Sequence, residues 1–327
     1  MDTLVEIFSG IVEAVSSHTQ GRPQKPKRGH PFTYPTSLIV KLLFVSTLKG
    51  WSLGQTVDKL KKREYANLRK LIGISLGEIP TKSCLCKRAN HPQTEAFLRR
   101  VLWYLRKRLI LRPMSDLKML IMDLTGIPTN PRYDPYAKWG HVKKQEAFYG
   151  YKLHILLNHK GVILQAFVTT ANKTETFRSL SMLAGIGRMF QLAISQGCLE
   201  YVLADSGYDA EANYKMVSDG LLGLMVCKEN PRRNKKTDKP PGGEYRSIAL
   251  RFSNTKKGKR LYGRRHVVEQ VIGQLKELFD LEHIPYWVRG LKSVRLWLMW
   301  RIVVFTTAQY LNLLRHRPLR HVKSLVK

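Results

Sequence analysis

Acidic residues are scarce in this chain. Only 24 Asp and Glu stand against 56 Lys and Arg in 327 residues, a formal net charge of +32. The basic residues recur along the whole length, so the charge does not come from one tail, and it favours an anionic partner: nucleic acid or an anionic membrane surface. Cysteine is scarce too. The four present, Cys84, Cys86, Cys198 and Cys227, form no CxxC pair and no zinc spacing. That excludes a disulfide scaffold and a cysteine-rich zinc module, and reads as reduced, mostly buried thiols in a cytosolic protein. Long uninterrupted apolar runs are missing. The best candidate, Leu296–Leu314, is broken by Arg301 and Gln309, and a charge near a bilayer centre costs roughly 3 kcal/mol. A buried amphipathic helix is the better reading, and nucleic acid the better partner. Acids near the N-terminus, Asp2 and Glu6, stand where a leader would be basic, so no leader is expected.

What is present is enough for a folded protein of about two domains. Hydrophobic residues make up 43% of the chain, which excludes a disordered polycation. Residues 1–112 read as a helical domain. A basic, Pro-rich segment, Gly21–Gly29, follows a first apolar helix. Helices are then expected at Ser37–Leu48, from a Ser52/Gln55 capping box to about Lys62, after Pro80-Thr81, and over Thr94–Leu109. Several short helices with basic faces are compatible with a helix-turn-helix-like DNA-binding module.

From Leu117 the period changes. Leu117–Met122 is a continuous apolar run, as in a buried central strand. Ala147–Leu157 and Val162–Val168 flank the turn Asn158-His159-Lys160-Gly161 and read as a hairpin. A helix is expected over Glu175–Gln196, a strand at Tyr201–Ala204, a helix from an Asp209 cap to Ser218, and a strand at Leu222–Val226. An insertion rich in Pro, Gly, Lys and Arg covers about 228–258, with Arg246–Phe252 as a further strand candidate. A helix over Tyr262–Phe279 and a last one over Lys292–Arg315, expected to pack on the sheet, complete the chain. This order is that of an α/β, ribonuclease H-like domain over 113–327: a mixed sheet flanked by helices, preceded by the helical N-terminal domain.

Three acids stand at points of chemical interest. Asp123 and Asp205 each end an apolar run, and Glu269 lies in the helix after the insertion. An acid following a buried strand often caps a turn, but a buried carboxylate is costly unless neutralised or bound to metal. At about 100° per residue, Tyr262, Arg265, Glu269 and Lys276 fall within a sector of about 60° on a continuous helix. Val268, Ile272, Leu275 and Phe279 form an adjoining apolar stripe. Phosphodiester chemistry uses two divalent ions held by a few carboxylates. Asp123, Asp205 and Glu269 could hold them while Arg265, Lys276 and Tyr262 bind DNA phosphates. The plainer alternative is a surface helix with an Arg265–Glu269 ion pair. Asp209, four residues after Asp205, is explained as a cap but remains the rival second carboxylate. His154 reads as a satisfied sheet histidine, His266 lies off the active face, and Trp139 in the basic loop Lys138–Lys144 is the aromatic least easily explained as core.

The spacing Tyr262-x2-Arg265-x3-Glu269-x6-Lys276 resembles the Y-(2)-R-(3)-E-(6)-K signature of DDE transposases of bacterial insertion sequences. Met122-Asp123-Leu124-Thr125, Gly150-Tyr151-Lys152-Leu153-His154 and Ala204-Asp205-Ser206-Gly207-Tyr208-Asp209 resemble the strand motifs of that family. Leu71-Ile72-Gly73 and Ile79–Ser83 resemble its helical N-terminal domain. The resemblance implies a transposase, cytoplasmic and nucleoid-associated in a prokaryote. It would bind the terminal inverted repeats of its element as a homodimer in the synaptic complex, cut with two Mg2+ or Mn2+ ions on Asp123, Asp205 and Glu269, and join the 3′-hydroxyls to target DNA. Glu175, where many relatives carry Asp, is read only as an N-terminal helix charge, and the insertion is shorter than in the best-known relatives. The alternatives are a structure-selective nuclease of the same fold, such as a junction resolvase, and a non-cleaving DNA-binding protein derived from a transposase.

Overall fold

The computed structural model describes residues 1–20, 33–141, 147–230 and 243–326. The basic segment expected at 21–29, most of the loop after Trp139, and the centre of the insertion lie largely outside the described residues. The chain falls into two compact units, Met1–Leu109 with Leu296–Lys327, and Ile110–Arg295.

The first unit is helical. Its elements are α1 (Asp2–Gln20), α2 (Thr36–Lys49), α3 (Leu53–Lys61), α4 (Ala66–Ile72), α5 (Lys82–Ala89) and α6 (Pro92–Leu109). The end of α2 follows from Gly50, which takes a left-handed φ of 65° and returns its N–H to Ser46 and Thr47. Ser52 and Gln55 close the expected capping box on α3, and Thr81 caps α5. Phe8 and Phe44 stack at 3.8 Å between ring centres. Buried Lys41 is satisfied by Glu13 at 2.9 Å and the Ile72 carbonyl at 3.2 Å. The residues from Leu296 onward, expected on the sheet, belong to this unit instead. Apolar periodicity in the sequence required a burial partner for them without saying which. No single helix among the described residues is long and apolar enough to cross a membrane.

The second unit is built on a six-stranded mixed sheet: β1 (Met119–Pro128), β2 (Lys138–Gly140), β3 (Phe148–Asn158), β4 (Ile163–Thr170), β5 (Tyr201–Ala204) and β6 (Leu224–Cys227). β3 lies antiparallel to β1, with Asp123 opposite Ile155 and Leu124 opposite His154. β4 and β2 pair with β3 antiparallel. β5 runs parallel to β1, and β6 parallel to β5. The resulting order β4-β3-β1-β5-β6, with β3 antiparallel to both its neighbours and β1 at the centre, is the ribonuclease H-like arrangement. β1 is longer than its apolar run: it passes through Asp123 to Pro128, because the partner strand β3 keeps pairing as far as Gly150.

The flanking helices are α7 (Pro113–Asp116), α8 (Thr176–Met189), α9 (Gln191–Ser195), α10 (Glu211–Lys215), α11 (Glu244–Ser253), α12 (Lys256–Gly263), α13 (His266–Phe279) and α14 (Gly290–Leu314), the last running into the first unit. Several of their expected bounds and types change. Arg246–Phe252 is helical, with Arg246 and Ala249 on its buried side. The helix expected to Gln196 breaks at Phe190. The helix expected over 262–279 is two, α12 and α13, separated at Arg264 and Arg265. A Cβ on Gly150 would stand 2.2 Å from the Ile127 carbonyl oxygen, whereas one on Gly273, inside α13, would meet nothing within 4 Å. Gly150→Ala is therefore expected to destabilise by about 1–3 kcal/mol. Gly273→Ala is expected to stabilise by about 0.5–1 kcal/mol. Urea denaturation of both variants checks the pair.

His154 sits in the sheet, fully buried, with Nε2 3.0 Å from Thr169 Oγ1. Burial, then the nearby Lys152 and Arg178, push its pKa down to about 4. An unfolded histidine titrates near 6.5. Between about pH 6.5 and 4 the unfolded chain therefore takes up a proton that the folded chain refuses, and this residue removes about 3 kcal/mol of stability as pH falls through that window. Denaturation midpoints across the window should fall less steeply in His154→Asn than in the wild type.

Candidate active site

The β1–β5 register decides where the two aspartates stand. Ile121 pairs with Leu203, so Asp123 within β1 and Asp205 just past β5, each two residues further on, stand side by side on adjacent parallel strands. Strands in a sheet lie about 4.8 Å apart, so two carboxylates so placed repel unless a cation joins them. That cation is Arg265. Its Nη2 lies 2.7 Å from Asp123 Oδ2, and its Nη1 lies 3.6 Å from Asp205 Oδ1 and donates to Tyr262 Oη at 2.8 Å. Tyr262 Oη in turn reaches Asp205 Oδ1 at 3.4 Å. Each carboxylate is also fixed by the next backbone N–H, Leu124 at 2.9 Å and Ser206 at 2.8 Å. Arg265 owes its place to the helix break: it stands just before α13, whose buried Val268, Ile272 and Leu275 pack that helix against β1.

The electrostatics are those of a half-closed charge cluster. Burial raises the Asp123 pKa, and the Asp205 charge adds to that; Arg265 opposes both without reversing the shift. Burial alone would weaken the Arg265 cation, but Asp123, Tyr262 and Asp205 together hold its pKa above the ordinary value. Lys228 lies 4.8 Å above the Tyr262 ring. Burial pushes the Cys227 thiol up to about 12, so it stays protonated and donates to the Asp205 carbonyl at 3.0 Å.

Other expected residues stand elsewhere. Glu269, one turn after Arg265, is exposed and has no ion pair among the described residues. The Arg265–Glu269 pair of the plainer alternative does not form; Arg265 turns inward to the aspartates. Lys276 pairs with Glu282 at 2.8 Å. The single face projected for Tyr262, Arg265, Glu269 and Lys276 required an unbroken helix, and the break at Arg264 and Arg265 divides it. Asp209 caps no helix, since Ala210 holds that position for α10. It is fully buried and bound by Arg246 through Nε at 2.7 Å and Nη2 at 2.8 Å, by Tyr214 Oη at 3.0 Å and by the Asn230 N–H at 2.8 Å. Burial raises its pKa, but the Arg246 hydrogen bonds and the others outweigh it and hold the carboxyl low.

Glu175 stands at a helix start, as expected, and also lies beside the site. It is half-buried, and its Oε2 lies 0.9 Å from where a Cβ on Gly207 would stand. Its charge acts on buried Tyr208 together with Asp123 and Asp205, and it opposes the burial-driven lowering of the Lys152 pKa. The available signal was Gly207, a residue without a side chain two places after Asp205, which leaves room for a neighbour. For a divalent ion, Asp123 and Asp205 supply hard oxygen donors of the right kind. No three His, Cys, Asp or Glu side chains among the described residues are grouped to hold a metal, and the Arg265 guanidinium takes the place between the two aspartates. The pair thus fits part of a metal centre, and the third ligand is not gathered to it.

Residues 115–306 match the Transposase DDE domain family, more than half of the chain and all of the sheet. The chain belongs to this DDE transposase family. The three acids, Arg265 and Tyr262 all fall within the matched span. Among solved structures, a piggyBac transposase in a synaptic complex with hairpin DNA is similar with a TM-score of 0.44 and 10% identity, over 98% of this chain and 76% of that one. So remote a likeness bears on neither substrate nor mechanism. No curated protein matches the chain.

In this member of the DDE family, Asp209 and Asp205 should respond differently to loss of charge. Asp209→Asn removes the nearest counter-charge of buried Arg246, leaving the more exposed Glu229 at 3.5 Å, and should cost about 3 kcal/mol. Asp205→Asn removes the more distant of the two carboxylates beside Arg265, which keeps Asp123 and Tyr262, and should leave global stability within about 1 kcal/mol of the wild type. Thermal and chemical denaturation of the two variants measures the difference.

Proposed function

We propose that the protein is the transposase of an insertion sequence. It binds the terminal inverted repeats, cleaves DNA at the ends and transfers the 3′-hydroxyls to target DNA. The observation that carries this reading is the side-by-side emergence of Asp123 and Asp205 from the parallel β1–β5 pair, inside a Transposase DDE domain match. Asp123, Asp205 and Glu269 are the proposed ligands of two Mg2+ or Mn2+ ions. Glu269 is the third because it stands one helical turn from Arg265, which touches both aspartates. When bound, such ions polarise the scissile phosphodiester and stabilise charge on the attacking and leaving oxygens.

The chain's own residues do the rest. Arg265 presents a planar guanidinium suited to a phosphate, and Tyr262 supplies a hydroxyl donor beside it. Lys276 would exchange its exposed partner Glu282 for a DNA phosphate, at small cost because surface pairs are weak. The helical domain, residues 1–112, is the proposed reader of the end sequence, and a homodimer holding two ends is the proposed working assembly. A net charge of +32 suits both kinds of duplex, element end and target. Cytoplasmic residence on the nucleoid of a prokaryote follows from this reading.

A second reading is kept alive by one observation: Glu269 stands apart from the aspartate pair. A DNA-binding descendant that no longer cuts would tolerate that. Strand transfer by the purified protein with labelled element ends separates the readings. Cleavage with joining is expected; cleavage alone would indicate a structure-selective nuclease, and binding alone the descendant. Asp123→Asn, Asp205→Asn and Glu269→Gln, made separately, should each lower metal-dependent cleavage by at least about a hundredfold while end binding changes less than about threefold.

A further inference from the structure

In the sheet-bearing unit, five exposed aromatic side chains gather on two neighbouring loops, where a lone globular domain would bury them. Tyr133 is 49% exposed, and Tyr136, Trp139, Tyr286 and Trp287 are between 61% and 66% exposed. They come from two loops, the one after β1 with the strand β2, and the one between α13 and α14. The loops meet. Tyr133 and Tyr286 have ring centres 6.3 Å apart, Tyr286 and Trp287 4.9 Å, and the Tyr136 ring lies over Gly290. Trp139 stands edge-on to Tyr149 at 5.6 Å. Between the loops opens a cavity of about 290 Å³, walled by Tyr133 and Tyr286 with Pro128 and Val288. Exposed apolar surface of this extent marks an interaction site.

One buried carboxylate holds the loops together. Asp134 accepts from Tyr151 Oη at 2.7 Å and from the Gly290 N–H at 3.1 and 3.2 Å, and from the Tyr136 N–H at 3.1 Å. Its carbonyl accepts from Tyr149 Oη at 3.0 Å. The rings are thus presented on a braced frame, and little conformational freedom is left to lose on binding. Exposed Arg132, Lys138 and Arg289 alternate with them along the two loops, and exposed Lys292 follows in the first turn of α14. Of the exposed acids nearby, Glu282 on the cavity wall pairs with Lys276, and Asp280 pairs with His283.

We propose that this surface binds single-stranded DNA by stacking unpaired bases on Tyr133, Tyr136, Tyr286 and Trp287. The occupant follows from the chemistry. Flat rings with interleaved cations match a chain of flat bases on an anionic backbone, and such stacking tolerates any sequence. A duplex hides its base faces and offers these rings nothing. The platform lies at the far end of β1 from the catalytic candidates. Pro128 is five residues beyond Asp123, about 17 Å along the strand. A frayed or displaced strand leaving the site would reach it. That last step rests on the transposase reading; the binding of single strands does not.

The test uses the full-length protein and a short oligothymidylate, followed by Trp fluorescence and by anisotropy of a labelled oligonucleotide, with the duplex of an element end measured alongside. Tyr286→Ala with Trp287→Ala should weaken oligothymidylate binding by at least about tenfold and leave duplex binding within about twofold. Trp287→Phe should retain most of the affinity. An abasic oligonucleotide of equal length should bind wild-type protein as weakly as the double variant binds the oligothymidylate, a comparison independent of any variant's folding. Equal loss for single strand and duplex, or no loss, overturns the proposal. So does a double variant that changes the sedimenting mass while keeping single-strand affinity, since the rings would then join two copies of the chain. Absence of cleavage by the wild-type protein would sink the transposase reading and leave this result standing.

Discussion

The site depends on one constraint, the parallel pairing of β1 with β5. Because Ile121 pairs with Leu203, Asp123 and Asp205 must emerge together. Two carboxylates a strand spacing apart cannot both stay charged without a cation between them. Arg265 meets that demand, and with it come the position of α13 and the break before it. Tyr262, on the other side of the break, closes the network from Arg265 back to Asp205. The sheet creates a repulsion, and the helices after the insertion are arranged to relieve it.

A second cluster isolates the first. Asp209 is only four residues from Asp205, yet it is fully buried and faces Arg246, Tyr214 and Asn230. The short turn Ser206–Tyr208 carries the chain from one cluster to the other. One acid is thus left at a surface where a phosphate could approach, and the other fastens α11 to the sheet. Arg246 can do this only because its segment is a helix that lays it against Asp209.

Much of the fold was legible in the sequence because its signals are local. The Ser52/Gln55 box, the apolar run before Asp123, the hairpin and Tyr201–Ala204 all depend on near neighbours. The site was legible in part. The two aspartates could be named because each ends a buried apolar run. Arg265 and Tyr262 could be named from their spacing, but for an incomplete reason: a continuous helix was assumed, and a break at Arg264 and Arg265 brings them to the aspartates. That break answers to charges supplied by distant strands, which no local pattern contains. The same holds for Arg246 and Glu175. Arg246–Phe252 alternates well enough for a strand, and only its partner Asp209 explains the helix. Glu175 reads as a helix-end charge until Gly207 is seen to make room for it.

The aspartate pair is the centre of the account, and a direct measurement on it is the binding of Mn2+ by the full-length protein with an element-end duplex, followed by electron paramagnetic resonance. The account predicts a protein-bound Mn2+ signal in the wild type that is lost in Asp123→Asn and in Asp205→Asn and kept in Lys276→Ala. A signal that persists unchanged in both aspartate variants would contradict it.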